Sequence, residues 1–255
     1  MTFGLKNVVA TYQRLMDKVF KEKIGRNMEV CVDDMIVKSC VVDEHVKNLE
    51  EVFAKTKKYD LRLNPEKCDF SVKGGKFLGF MLTNRGIEAY LDKCEEILNK
   101  RSPTNLKEVQ RLVGRLNALA IFFPVLAERS KSIIKLLRKA KAFKWNEQCK
   151  QTFSTIKKMI DEPPILVKPV STQPIIVYLA TSHEAIGVAL IQEYPKQKSI
   201  YFVSRALQNP ETRYQLVEKI ALTLVYIARR LRPYFLNHQI IVRTDCSLEK
   251  NLRKP

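Results

Sequence analysis

Zinc-ligand spacing is missing from this chain. Its six cysteines, Cys31, Cys40, Cys68, Cys94, Cys149 and Cys246, lie far apart with no Cys-x-x-Cys pair, and its three histidines are equally scattered. No zinc site is expected from that pattern. No apolar run approaches the ~20 residues that cross a bilayer, and the opening MTFG has no basic segment followed by an apolar one. An intracellular protein with reduced thiols and no membrane partner is expected. Internal repeats and low-complexity tracts are also lacking. Acids are scarce beside bases.

What is present is enough chain for a sizeable core. Of 255 residues, 45% are hydrophobic and 28% charged, which excludes a disordered or fibrous protein and leaves room for more than one domain. Forty-five Lys and Arg against 27 Asp and Glu give a net charge of +18. Such a field concentrates polyanions, so nucleic acid is the favoured partner.

Three blocks follow one another, and the expected fold class is α+β. In residues 1–85 a helical pattern over 7–23 gives way to two short strands over 28–39, around Asp33 and Asp34. A helix over 43–59 follows, with Asp43 as N-cap and Val46, Leu49, Val52 and Phe53 at helical spacing. A second hairpin is predicted over 61–82, turning at Gly74-Gly75. Residues 86–165 read as nearly all helix: 106–120, 128–141 and 145–160, the first two parted by Phe122-Phe123-Pro124. The run Asp161-Glu162-Pro163-Pro164, with Pro169 and Pro174, reads as a linker. Residues 166–255 show strands at 175–179, 186–192 and 199–203, a long helix over 211–230 and a strand over 239–244. That order is β-β-β-α-β.

The stretch EVCVDDMIVK sets Asp33 and Asp34 side by side between β-rich runs. Asp favours turns because its side chain bonds nearby backbone, so the pair has a structural reading. Its chemical reading is metal binding: carboxylates are hard oxygen donors for Mg2+, and two such ions can activate a hydroxyl while stabilising a leaving pyrophosphate. A basic cleft around them would offset the phosphates of a nucleic acid.

Taken together, FGLKNVVATYQRLM (3–16), CVDD, LRLNPEKC (61–68) and KFLGF (76–80) resemble the ordered motifs of the reverse transcriptase of gypsy-type LTR retrotransposon polyproteins, most closely those of plants. The resemblance runs on through the helical block into a region similar to the family's RNase H-like domain. It implies a partial reverse transcriptase palm over 1–85, a helical thumb and connection over 86–165 and a truncated RNase H-like domain over 166–255. By the same resemblance Asp33 and Asp34 stand at the catalytic, Mg2+-binding carboxylates, with Cys31 in place of the usual tyrosine. Phe3 and Gly4 match the nucleotide-pocket motif, Gln13 a position near template and nucleotide, and Lys67 a lysine near the triphosphate. Leu78 and Gly79 match the hairpin that grips the primer terminus. Seven basic residues and no acid lie between Arg129 and Lys144. Of these, Lys131, Lys135, Arg138, Lys139 and Lys141 are expected to touch nucleic-acid backbone, whether RNA, DNA or their hybrid; a solvated helix face is the other reading.

The pattern is also broken. The chain opens at the FGL motif, so the fingers and the family's first palm aspartate fall outside residues 1–255. In the RNase H-like block the three carboxylate positions read Ala180, Ile220 and Asp245. Glu184 and Glu218 are near but out of register, and the fold's last elements are not reached by Pro255. Binding of template-primer without turnover is therefore expected. Two other outcomes stay open: a chain with no surviving function, and a domesticated interaction module that docks through its helical block. Among the remaining singletons, Trp145 reads as a helix anchor or a base-stacking residue. His45, His183 and His238 read as surface residues, and Arg229, Arg230 and Arg232 as a helix end suited either to cations or to phosphate.

Overall fold

The computed structural model describes residues 6–138, 143–193 and 196–245. They fall into two compact units, within 1–84 and 85–255.

In the first unit, helix α1 (Val8–Val19) carries Tyr12, Met16 and Val19 at helical spacing. Met16, Val19 and the following Phe20 are buried against Met28 and Val52. Strands β1 (Met28–Cys31) and β2 (Asp34–Val37) pair antiparallel with Cys31 opposite Asp34, so Val32 and Asp33 form the tip. Alternation turns Met28, Val30, Met35 and Val37 toward the α1 core and Glu29, Cys31, Asp34 and Ile36 away from it. Helix α2 (Val42–Lys58) starts earlier than its sequence suggests. The extended Val41 is its N-cap, and Asp43 lies in the first turn with Glu44, where acids suit the positive end of the helix; Lys55, Lys57 and Lys58 suit the other.

The second hairpin forms, but not where the Gly74-Gly75 pair predicts. Both glycines lie inside strand β3 (Gly74–Phe77), which pairs with β4 (Phe80–Thr83) with Phe77 opposite Phe80. A Cβ on Gly74 would meet the Leu82 carbonyl oxygen at 2.8 Å, so that glycine serves close strand approach. The turn is Leu78-Gly79, both at positive φ (51° and 76°), which matches the right-handed twist of a tight hairpin.

The second unit opens with β5 (Gly86–Ala89) and α3 (Leu91–Leu98), neither signalled by the sequence reading. Helix α4 (Leu106–Ala118) is capped by Asn105, whose side chain accepts from the Glu108 N–H at 3.0 Å. The helix predicted over 128–141 is two pieces, α5 (Leu126–Arg129) and α6 (Lys131–Arg138). They break at buried Ser130, whose hydroxyl donates to the Leu126 carbonyl at 2.6 Å; residues 139–142 lie outside the described residues. Helix α7 (Glu147–Asp161) is capped by Asn146. Leu112, Leu116, Phe122, Ile133, Ile156 and Ile160 form part of this unit's buried interior. The proline-rich stretch after α7 is not a free linker: buried Leu166 exchanges two backbone hydrogen bonds with Ile87, at 2.7 and 2.9 Å.

Strands β6 (Ile175–Thr181), β7 (Ala185–Gln192), β8 (Lys198–Ala206) and β9 (Ile240–Thr244) make one sheet, ordered β8-β7-β6-β9. Within it, β6 and β9 pair parallel and the other neighbours antiparallel. The helical stretch between β8 and β9 is also divided: α8 (Asn209–Thr212), α9 (Leu216–Arg230) and α10 (Arg232–Asn237). Capping boxes at Gln208/Glu211 and Gln215/Glu218 start α8 and α9 separately. Ile220 and Ile227 of α9 pack on Ile175, Val177 and Leu179, one face of the sheet. Near the other face, Val125 lies so close to Gly187 that a Cβ there would meet its side chain at 2.7 Å. The Ala127 N–H donates to the Ser204 hydroxyl at 2.8 Å.

Candidate nucleic-acid interface and catalytic positions

The hairpin carrying the carboxylate pair is held by one side chain. Gln13 of α1 accepts from the Val32 N–H at 2.6 Å, donates to the Val30 carbonyl at 3.4 Å and to Asp17 Oδ1 at 2.8 Å. Val32 has φ 53°, a conformation that a β-branched residue adopts at a cost, so the glutamine fixes a strained tip. Asp33 and Asp34 project into solvent there, and among the described residues neither side chain has an ion-pair or hydrogen-bonding partner. Gln13 thus meets the hairpin backbone, a role its sequence position did not suggest. Lys67 is exposed at the end of a 3₁₀ turn, Pro65–Lys67, capped by Asn64. Leu78, 49% exposed, and Gly79 form the second hairpin's tip. Phe3 and Gly4 lie outside the described residues.

The basic run after Arg129 is less open than its composition suggests. Lys131 and Lys135 of α6 share Glu184, at 3.1 and 3.4 Å, and Lys131 also faces Glu128 at 3.8 Å. Arg138 closes α6, and Lys139 and Lys141 lie outside the described residues. Trp145 packs edge-on against Phe153, ring centroids 6.0 Å apart, as an anchor of α7.

A cationic face that the sequence reading missed lies on α4. Lys107, Gln110, Arg111, Gly114, Arg115 and Asn117 are all exposed, while Val109, Leu112 and Leu116 fill the interior. Arg115 pairs with Glu96 at 3.2 Å; Lys107 and Arg111 have no ion-pair partner among the described residues. Beyond the helix's own backbone, no described atom lies within 4 Å of where a Gly114 Cβ would stand. The signal was in the sequence, as LKEVQRLVGRLNA at helical spacing, but only burial shows which side is free.

The three positions expected to match the RNase H-like carboxylates are divided between two faces of the sheet. Leu179 pairs with Thr244, so Ala180 and Asp245 come side by side at the ends of β6 and β9, both exposed. Ile220 is 3% exposed within the core on the other face. Its neighbour Lys219, 6% exposed, donates from Nζ to the His183 carbonyl at 3.2 Å. Glu218 closes the α9 capping box by accepting from the Gln215 N–H at 2.8 Å. Among the described residues, no group of three or more His, Cys, Asp or Glu side chains is placed to hold a metal. Asp33 and Asp34 are suitable donors for Mg2+, but a two-ion site needs more carboxylates than these residues bring together.

Two segments match known families: residues 1–82 match the reverse transcriptase (RNA-dependent DNA polymerase) family, and residues 145–242 the RNase H-like domain found in reverse transcriptase. The Drosophila melanogaster retrovirus-related Pol polyproteins from transposons 297 and opus are 30% and 32% identical over 96% and 92% of this chain. The transposon Tf2-3 polyprotein of Schizosaccharomyces pombe is 25% identical over 92%. The chain spans 23%, 24% and 18% of those three relatives. The fold is that of the foamy viral protease-reverse transcriptase. Its complex with RNA/DNA hybrid superposes with a TM-score of 0.85 at 24% identity, covering 100% of this chain and 35% of that one. Its complex with dsDNA gives 0.82 at the same identity, covering 100% and 54%.

Proposed function

We propose that this chain, which carries the reverse transcriptase and RNase H-like domains of a retrotransposon polyprotein, binds template-primer nucleic acid through its helical block and does not turn over on these residues alone. The observation that carries the binding is the open face of α4: two cations without an ion-pair partner among the described residues, an amide on either side and a glycine with nothing packed on it. A duplex backbone can approach such a face closely, with Lys107 and Arg111 on its phosphates. Binding of this kind is weakly sequence-dependent and falls with salt. Asp33 and Asp34 bind no phosphate and serve as the remnant of a Mg2+ site, held in place by Gln13. When present, Mg2+ would supply Lewis-acid stabilisation of a developing oxyanion.

The absence of turnover is supported by a donor set that, among the described residues, brings no third carboxylate to Asp33 and Asp34, and by Ile220 in the core where the resemblance calls for a carboxylate. The motif set CVDD, LRLNPEKC and KFLGF further supports a gypsy-type element of plant lineage as the parent, acting inside the cell. Fluorescence anisotropy with an RNA–DNA hybrid across a salt series tests binding; affinity indifferent to salt refutes it. Primer extension with Mg2+, comparing the chain with Asp33→Asn, tests turnover: extension that the substitution abolishes refutes the inactive reading.

A second reading, a protein-interaction module, is favoured by the exposed apolar side chains Val42, Val46 and Phe53 on α2 and Phe70 beside Phe53. Failure of the folded chain to bind the hybrid even at low salt would favour it over the first.

A further inference from the structure

We propose that Glu184 is a built-in stand-in for a backbone phosphate, and that it occupies a phosphodiester-binding position on α6 until a nucleic acid displaces it. The inference rests on the nucleic-acid reading above and deepens it. Glu184 ends the short turn between β6 and β7, and its two oxygens are divided between two ammonium groups one helical turn apart: Oε2 at 3.1 Å from Lys131 and Oε1 at 3.4 Å from Lys135. A tetrahedral phosphate presents oxygens at comparable separations to the same pair of donors. The loop fixes the backbone of Glu184, and the two lysines meet its carboxylate. The Glu184 N–H donates to the Ser182 hydroxyl at 3.4 Å, the Glu184 carbonyl accepts from the Leu207 N–H at 2.7 Å, and the Ser182 hydroxyl donates to Glu128 at 2.7 Å.

The surroundings are those of an anion site. A cavity of about 170 Å³ opens beside the pair, lined by Lys131, Lys135, His183 and Asn209 over an apolar floor that includes Ile134. Among the described residues, the carboxylates lining it are Glu128, which already accepts from Ser182, and Glu184 itself. All three members of the Lys–Glu–Lys bridge are a third to a half exposed, so an incoming phosphate can reach the lysines without unfolding anything. Lys131 and Lys135 hold the Glu184 carboxyl below the ordinary glutamate range, which keeps the stand-in ionised at neutral pH.

The test is hybrid binding by anisotropy across a salt series for the full chain and four variants, with thermal melts to confirm folding. Glu184→Gln keeps the side chain's shape and frees the two lysines. It should tighten binding by about threefold to tenfold and steepen the log–log salt slope by about 0.9, the value for one additional phosphate neutralised. Lys131→Gln/Lys135→Gln, with Glu184 intact, should weaken binding, but by less than the same pair does in the Glu184→Gln chain, because part of the lysines' attraction for phosphate goes into displacing the carboxylate. Adding that pair to Glu184→Gln should cancel the improvement. Glu95→Gln, an exposed acid elsewhere in the unit, makes the same change in net charge and should do little.

A Glu184→Gln chain that binds no better than Glu95→Gln refutes the stand-in while leaving the nucleic-acid reading intact. An improvement that survives loss of both lysines refutes it as well. Failure of the unmodified chain and of every variant to bind the hybrid at low salt refutes the nucleic-acid reading itself. Calorimetry with inorganic phosphate separates the two sources of this chemistry. Uptake of free phosphate by Glu184→Gln with no improvement on the hybrid would make the cavity a small-anion pocket and overturn the backbone assignment.

Discussion

Gly114 offers the sharpest separation of folding from binding. It lies inside α4 on the exposed side, and a Cβ there would meet no described atom within 4 Å beyond the helix's own backbone. Glycine in a helix interior costs about 0.5–1 kcal/mol relative to alanine through backbone entropy, and no contact in this structure offsets that. Gly114→Ala should therefore stabilise the chain by about 0.5–1 kcal/mol in urea denaturation. If the glycine is there so that a duplex can approach the helix between Gln110 and Asn117, the added methyl overpacks that contact. A penalty of about 1 kcal/mol, roughly fivefold in Kd, should appear in anisotropy on an RNA–DNA hybrid. The opposed signs make the test decisive, because a general loss of structure cannot raise stability and weaken binding together. Gly114→Leu should deepen the loss of affinity without reversing the rise in stability. A stabilised Gly114→Ala chain that binds as tightly as the parent would refute the assignment of this face to nucleic acid.

Gln13→Ala removes the acceptor for the Val32 N–H and frees the strained tip. Destabilisation by about 1–2 kcal/mol and faster amide exchange at Val32 are expected, and unchanged exchange would refute the clamp. Ile220→Glu should not restore a nuclease: a carboxylate in the core beside Leu179 and Val203 should cost about 3 kcal/mol or more, whereas Ala180→Asp at the exposed sheet end should change stability by less than about 0.5 kcal/mol. Denaturation curves of the two variants check this, and equal costs would refute it. The Tyr178 hydroxyl first, and the Arg243 guanidinium next, hold the Glu193 carboxyl below the ordinary range. Its stabilising contribution should be fully present above the unfolded value of about 4.3 and fade as pH falls past that toward the lower folded value. Tyr178→Phe should flatten that part of the stability–pH curve, and an unaltered curve would refute the pairing.

Much of the fold was legible because hydrophobic spacing is a local record of burial. The α1 pattern, the two strands around Asp33-Asp34 and the β-β-β-α-β order all follow from it. Errors arose where a longer-range contact overruled a local signal. Gly74-Gly75 looked like a turn, yet Gly74 is needed where β4 approaches its backbone, and the turn falls on Leu78, a residue whose side chain argues against positive φ. The break at Ser130 is invisible in a run of good helix formers. Site residues divide in the same way. That Asp33 and Asp34 sit at a hairpin tip was readable from the flanking β-rich runs, whereas the burial of Ile220 away from Ala180 and Asp245 was not. That Lys131 and Lys135 already face Glu184 depends on a loop far away in sequence.

The two hydrogen bonds between Ile87 and Leu166 have a mechanical consequence. They join the two ends of the segment that contains α3 to α7, so that segment leaves the backbone and returns to it at one point. Force applied along the chain between residue 85 and the sheet strands would run across this short bridge and leave the helices unloaded until it parts. The helical block is thus a closed loop hung from a clasp and docked on the sheet at Val125 and Ala127, and while the clasp holds, tension along the main chain bypasses its helices.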